Sequence, residues 1–183
     1  MDELVDILDS KGNSTGKVML KSEAHKKGLF HPTIHAWLYT KKGEVLIQQR
    51  VASKKTYPNK WDVSVAGHIG AGEAPAKSAI REIEEEIGLK VTANDLEKIG
   101  VYRSAVVHNK DIIDCEFHHI YLIELTVPES KLKIQESEVA DIKLINIDVY
   151  LGALKEPTLL KDYVPHLPDY LDLVFSSVRK KLI

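Results

Sequence analysis

Apolar and polar positions alternate along several stretches of this chain, and a period of two marks strands with one face buried. Thr33–Thr40 and Glu44–Arg50 alternate in this way and are joined by Lys41, Lys42 and Gly43, which predicts a hairpin. Val5–Leu8 and Lys17–Leu20 read as short strands joined by the turn-rich segment SKGNSTG, and Trp61–Gly67 reads as another. Lys98–Val107 and Ile112–Leu125 read as a long hairpin, with Ile142–Ile147 as a further strand. Between Ala74 and Ile87 the period changes. Ala76, Ala79, Ile80, Ile83 and Ile87 fall within about 100° of one another at about 100° per residue, giving a helical apolar stripe. That segment has no internal Gly, and its one Pro, Pro75, lies in the first turn, where a missing N–H costs nothing. Val149–Leu154 and roughly Pro168–Lys181 complete the helices. Strands on both sides of a central helix, followed by C-terminal helices, predict an α/β (α+β) chain: an α/β/α sandwich on a mixed β-sheet. Trp37 and Trp61 sit on strands and read as core residues rather than base-stacking platforms.

Composition narrows the class. A chain of 183 residues with 44% hydrophobic content can bury one core, so residues 1–183 read as a single domain. With 25 basic and 27 acidic residues the net charge is −2, and neither a nucleic acid nor a membrane is an expected partner. Cys115 is the single cysteine and rules out an intramolecular disulfide. The opening MDELVDILD is acidic and unlike a signal peptide, and no apolar run approaches 18 residues, so a cytoplasmic location is expected. There is no repeat, low-complexity tract or linker. Oligomeric state is open, a homodimer being one option.

The chemistry is concentrated between Gly67 and Leu89, GHIGAGEAPAKSAIREIEEEIGL. On the predicted helix Glu82, Glu85 and Glu86 stand at i, i+3 and i+4 on one face, while Glu84 points away. Like charges at that spacing repel by a few tenths of a kcal/mol per pair, and a hard divalent cation would offset the repulsion. Mg²⁺ suits such a patch because it prefers oxygen ligands and is typically shared between carboxylates and substrate phosphates. Arg81 lies four residues before Glu85 and can orient it, Gly88 fits the helix C′ position, and the glycines at 67, 70 and 72 permit a tight loop close to metal and phosphate. A charge run alone reads as a solvated helix face. Gly67 and Glu73 at fixed upstream spacing reverse that reading. Gly67, Glu73, Arg81, Glu82, Ile83, Glu85, Glu86, Gly88 and Leu89 fill G-x5-E-x7-R-E-U-x-E-E-x-G-U with U aliphatic, a match of chance probability on the order of 10⁻⁸. This pattern resembles the Nudix box. The resemblance implies the sandwich fold above and hydrolysis of a metal-chelated diphosphate, with Mg²⁺ or Mn²⁺ on Glu82, Glu85 and Glu86 and on the Gly67 carbonyl.

Histidines supply a second signal. His25, His31 and His35 come from SEAHKKGLFHPTIHAWLY, His68 follows Gly67, and His118 and His119 follow DCEF. Their order resembles one branch of the Nudix superfamily, the isopentenyl-diphosphate isomerases. That resemblance implies a metal held by His25, His31, His68, Asp114 and Glu116. Asp114 and Glu116 share a strand face by alternation, and imidazole with carboxylate suits Zn²⁺, Mn²⁺ or Fe²⁺ better than Mg²⁺. His118 and His119 take opposite faces, so at most one can face such a site. There are departures from the isomerases. The His25–His31 spacing is one residue shorter, Asp114 replaces Glu, and Ala66 stands where the isomerases carry the cysteine of their proton relay. Cys115 alternates to the face opposite Asp114 and Glu116 and is no substitute. The isomerases also commonly degrade the helix pattern that is complete here. The chain therefore reads as isomerase-like in architecture and hydrolase-like in chemistry, and the histidines as either a second metal site or a packed cluster.

The expected reaction is attack of water on phosphorus in a nucleoside di- or triphosphate or a related X-diphosphate metabolite. The candidate bases are Glu85 or Glu82, then Glu116, then Glu138 in the QESEVAD loop. Arg50, Lys54 and Lys55 in QQRVASKKTYPNKWD are the candidate phosphate-binding residues, against the alternative of solvated loop lysines. Two other readings stay open: an isopentenyl-diphosphate isomerase-like enzyme with an altered relay, and a catalytically silent binding module on the same fold.

Overall fold

The structure, a computed structural model, describes residues 2–182. Strands β1 (Leu4–Leu8) and β2 (Ser14–Leu20) form a separate antiparallel pair and lead into a short helix, α1 (Lys21–Lys27). The main sheet holds β3 (His31–Tyr39), β4 (Glu44–Arg50), β5 (Trp61–Asp62) and β6 (Val65–His68). After the helix α2 (Pro75–Ile87), it is completed by β7 (Glu97–Asn109), β8 (Ile112–Glu124) and β9 (Val139–Asn146). The helices α3 (Ile147–Ala153), α4 (Pro157–Leu160) and α5 (Pro168–Arg179) follow. The sheet is mixed: β3 runs parallel to β8, and the other pairs in it are antiparallel.

The alternation along β3 divides the interior. Ile34, Ala36 and Leu38 pack with Ile83 and Ile87 of α2 on one face of the sheet, while Trp37 and Tyr39 pack with Tyr170, Val174 and Phe175 of α5 on the other. Two apolar layers flanking one sheet make the expected sandwich. Trp37 is fully buried, its Nε1–H donating to the Tyr170 hydroxyl at 2.9 Å, and Trp61 packs partly buried against the same core.

Four local expectations are revised. The Thr33–Thr40/Glu44–Arg50 hairpin holds only at its tip, where Tyr39 pairs with Val45. Beyond it the strands part, and Ser64 fills the gap: its Oγ accepts from Leu38 N at 2.8 Å and donates to the Leu46 carbonyl. The freed edge of β3 pairs instead with β6 and that of β4 with β5, while β9 pairs along the other edge of β4. The Trp61–Gly67 strand is broken for the same reason, into β5 on β4 and β6 on β3. The second strand begins at Ser14 rather than Lys17, taking in part of the presumed turn. Finally, α1 carries little periodic signal because Ala24 is its one buried residue; its end is marked by Gly28 at φ 59°. Among the described residues no helix is long and apolar enough to cross a membrane.

Candidate active site

Helix α2 starts at Pro75 and ends on Gly88 in the left-handed region, and its acidic residues occupy graded environments. Glu85 is half exposed, Glu82 is partly buried and Glu86 is 5% exposed. Arg81 gathers them: Nη1 donates to Glu82 at 2.8 Å and to Glu85 at 3.2 Å, and Nη2 donates to the His68 carbonyl and to Glu73, each at 3.3 Å. Glu73 also accepts from Ser78 Oγ at 2.7 Å, which ties the loop to the helix start. A Cβ on Gly67 would fall inside the Glu82 carboxylate, so only glycine lets β6 and the helix approach this closely. Burial, with Glu82 nearby, pushes the Glu86 carboxyl up to about 8, against the single donor Gln48 Nε2 at 3.0 Å. A buried carboxyl this short of donors is what a bound cation would ionise, so the donor set fits Mg²⁺.

Beside it stands a histidine cluster assembled from four segments. His25 comes from α1, His31 from the start of β3, His68 from the end of β6 and Glu116 from β8. One ligand atom from each lies within 4.8 Å of all the others. His25 Nε2 is 3.1 Å from His31 Nε2 and 3.3 Å from His68 Nε2; Glu116 Oε1 is 3.5 and 3.6 Å from His31 and His68. Those nitrogen separations match the edges of a coordination polyhedron with metal–nitrogen bonds of about 2.0–2.1 Å. Tautomers agree with this. The Leu29 carbonyl can only accept, so His31 Nδ1–H donates to it at 2.9 Å and Nε2 faces the cluster. Burial, with His68 and His31 close by, lowers His25 to about 4 and keeps it neutral, as a ligand must be. Burial of Glu116 is outweighed by His31 and His68, which hold its carboxyl well below the usual range.

Asp114, the fifth expected ligand, is not among the four converging residues. It shares the β8 face with Glu116, but its Oδ2 accepts from His108 Nε2 at 2.8 Å. Its Oδ1 is buried without a hydrogen-bond partner, 3.7 Å from His25 Nδ1. Asp114 thus lies next to His25 with one oxygen held by His108 of β7 across the hairpin and the other left open.

A cleft of about 790 Å³ runs past the histidine cluster and the Gly67 backbone, walled by Gly67, His68, Glu116, Lys54, Lys55 and Glu138 among others. Glu138 pairs with Lys54, and both lie near enough to Glu86 to bias its charge. That position follows from the chain: Lys133 N and Gln135 N donate to the Ile87 and Glu86 carbonyls at 2.9 Å, bringing the Glu138 segment to the end of α2. Arg50 lines the cleft with its guanidinium engaged, by Asp62 at 3.1 Å and by both the carbonyl and hydroxyl of Thr56. Lys55 is exposed in the same loop.

Residues 29–167 match the NUDIX domain. The chain belongs to the Nudix family. It is 32% identical over 169 residues to Nudix hydrolase 3 of Arabidopsis thaliana, an alignment that covers 90% of this chain and only 22% of that protein. It is 31% identical over 153 residues to the isopentenyl-diphosphate Delta-isomerase of Citrobacter koseri, covering 83% of this chain and 82% of that one. Among solved structures, DR0079 of Deinococcus radiodurans superposes with a TM-score of 0.68 at 17% identity, covering 97% and 98% of the two chains, which speaks for the fold alone.

On this Nudix scaffold a buried part of the cleft wall holds residues that the sequence pattern did not assign. His35, His118, Asp62 and His166 reach it, with Tyr170 behind. Alternation from His31 to His35 could have placed His35 on the site face, and His118 follows from Glu116 by the same rule. His119, on the other face of β8, is half-buried away from it. Nothing local marks Asp62 or His166. Ala66 pairs with His35 across β3 and β6, so the cleft wall carries a methyl group at that position and no thiol.

Proposed function

We propose that this chain is a Mg²⁺-dependent diphosphatase that cleaves the phosphoanhydride bond of a nucleoside di- or triphosphate or a related X-diphosphate metabolite. The observation that carries the reading is the complete acidic face of α2, with Glu86 buried and with Lys54 and Glu138, which line the cleft, near enough to bias its charge. Glu82, Glu85, Glu86 and the Gly67 carbonyl would hold Mg²⁺; when bound, it neutralises diphosphate charge and acidifies water. Arg81 fixes the Glu82 and Glu85 carboxylates in register. Half-exposed Glu85 is the preferred proton acceptor for the attacking water, with Glu82, Glu116 and Glu138 behind it. Lys54 and Lys55 meet the outer phosphate, with Arg50 behind them shaping the loop. Positioning and charge stabilisation suffice, since phosphoryl transfer asks little covalent chemistry of the protein. Mn²⁺ can replace Mg²⁺ at the helix, and His25, His31, His68 and Glu116 form a second site suited to Mn²⁺, Zn²⁺ or Fe²⁺.

The histidine cluster and the 31% identity to an isomerase favour one second reading, double-bond isomerisation of isopentenyl diphosphate. Ala66 weighs against it, because the relay then lacks one of its two proton-carrying groups. A phosphate-release screen with Mg²⁺ or Mn²⁺ tests the pair. It would cover nucleotides, nucleotide sugars, dinucleoside polyphosphates, thiamine diphosphate and isopentenyl diphosphate. Metal-dependent release that disappears in Glu85→Gln supports the hydrolase. Double-bond migration without phosphate release, followed by NMR, would replace it with the isomerase.

A further inference from the structure

One buried part of the cleft wall is built unlike the rest. His35, His118 and His166 meet there around Tyr170, with His35 stacked on His118 at 4.0 Å between ring centroids and His166 stacked on Tyr170 at 4.8 Å. Each ring commits one nitrogen to the protein. His35 Nδ1 bonds the Tyr170 hydroxyl at 2.7 Å, His118 Nδ1 bonds Thr33 Oγ1 at 2.7 Å, and His166 Nε2 donates to Asp62 at 2.9 Å. The remaining nitrogens, His35 Nε2, His118 Nε2 and His166 Nδ1, have no hydrogen-bond partner among the described residues, yet none is a sealed orphan. All three side chains line the cleft, so these nitrogens are left for whatever enters it.

The charges here are already matched. Asp62 Oδ1 accepts from His166 and from Val63 N at 2.8 Å, and Oδ2 accepts from Arg50. The Arg50 guanidinium is thus already paired, and among the described residues this part of the wall offers no other Lys or Arg for a second phosphate. His35 is neutral, since burial and the neighbouring His118 and His166 hold it well below its ordinary value. The three rings do not converge as a metal set; among the described residues His25, His31, His68 and Glu116 are the group that does. What remains is a wall of ring nitrogens able to donate or accept hydrogen bonds. A hydrocarbon placed there would strip water from three imidazole nitrogens and return nothing, whereas a hydroxyl or amide would replace the water bond for bond.

We propose that this part of the cleft selects the substituent carried by the diphosphate, and that it takes an uncharged, hydroxyl- or amide-bearing group rather than a hydrocarbon, with His35, His118 and His166 as the specificity-determining residues. The inference rests on the diphosphatase reading for its reaction but concerns binding. Sites built to hydrogen-bond a substrate hydroxyl reject the analogue that lacks it far more strongly than apolar pockets reject an added one.

Two five-carbon diphosphates that differ by one hydroxyl provide the test: 4-hydroxy-3-methylbut-2-enyl diphosphate and dimethylallyl diphosphate. Both are titrated calorimetrically into the wild-type protein with Mg²⁺ and also assayed for phosphate release. The hydroxylated compound is expected to bind at least about tenfold more tightly, and His166→Leu and His35→Phe to bring the ratio of the two affinities toward one. Equal binding, tighter binding of dimethylallyl diphosphate, or binding of neither overturns the inference. A preference in binding without phosphate release from either compound leaves the inference standing and removes five-carbon diphosphates from the diphosphatase reading instead. A wild-type preference that both variants retain assigns the selection to other residues and overturns the role of the histidines.

Discussion

The acidic face of α2 and the histidine cluster lie side by side, yet they are built by opposite means. Glu82, Glu85 and Glu86 come from one turn and a half of one helix, graded from half exposed to buried, and Arg81 of the same turn restrains two of them. His25, His31, His68 and Glu116 come from four elements, with His31 fully buried, and their spacing depends on the register of β3 against β6 and β8. The helix patch is a local device tolerant of small shifts in the sheet. The histidine cluster is a tertiary device: a one-residue slip in β3 would turn His31 to the α2 face and dismantle it.

The largest expected effect tests which of the two carries turnover. Glu85→Gln or Glu86→Gln should lower steady-state turnover by at least about 100-fold, roughly 2.7 kcal/mol of transition-state stabilisation, with an unchanged circular dichroism spectrum. Unchanged turnover in both variants would remove the helix as the metal site. Next, His31→Ala or His68→Ala should weaken Mn²⁺ or Zn²⁺ binding by about 10- to 100-fold in calorimetry, with Glu85→Gln leaving that binding event in place. If all three variants lose the same binding event, the two clusters are one site.

A smaller effect concerns stability in the metal-free protein. The Glu86 carboxyl is raised to about 8 from an unfolded value near 4.5, so the folded state holds its proton more tightly than the unfolded state does. Its contribution is therefore complete below about pH 4.5 and lost as pH rises through about 8. In EDTA, melting temperature should fall by several degrees more between pH 5 and pH 8.5 in the wild type than in Glu86→Gln, and Mg²⁺ should reverse the fall. A wild-type profile parallel to that of Glu86→Gln would mean the carboxyl is not strained. The smallest effect is expected at the cleft wall. Ala66→Cys alone should not create efficient isomerisation of isopentenyl diphosphate, because a thiol restores one relay group without the surroundings that set its proton affinity; rapid migration in that variant, seen by NMR, would contradict this.

Much of the architecture was legible. The 3.6-residue stripe from Ala76 to Ile87 sets α2 against the sheet, and the alternations locate β3, β4, β7 and β8 to within a few residues. What pattern could not provide was partnership. The residues of β3 and β4 read as a hairpin whether or not the strands stay together, and Ser64, which fills the gap between them, carries no local sign of that task. Asp114 and Glu116 share a face by alternation alone, yet His108, six residues from Asp114 across the β7–β8 turn, takes one Asp114 oxygen, a partnership the alternation does not reveal.

The sequence by itself determined the acidic patch, since helix geometry fixes the relative directions of residues three and four apart wherever the helix lies, and Gly67 and Glu73 at fixed spacing tie the loop to it. Only the tertiary structure decided the convergence of His25, His31, His68 and Glu116, and the meeting of Asp62 with His166, 104 positions away along the chain. Those contacts are set by strand register and by which face each remote segment covers, and such distances are properties of packing that no local periodicity encodes.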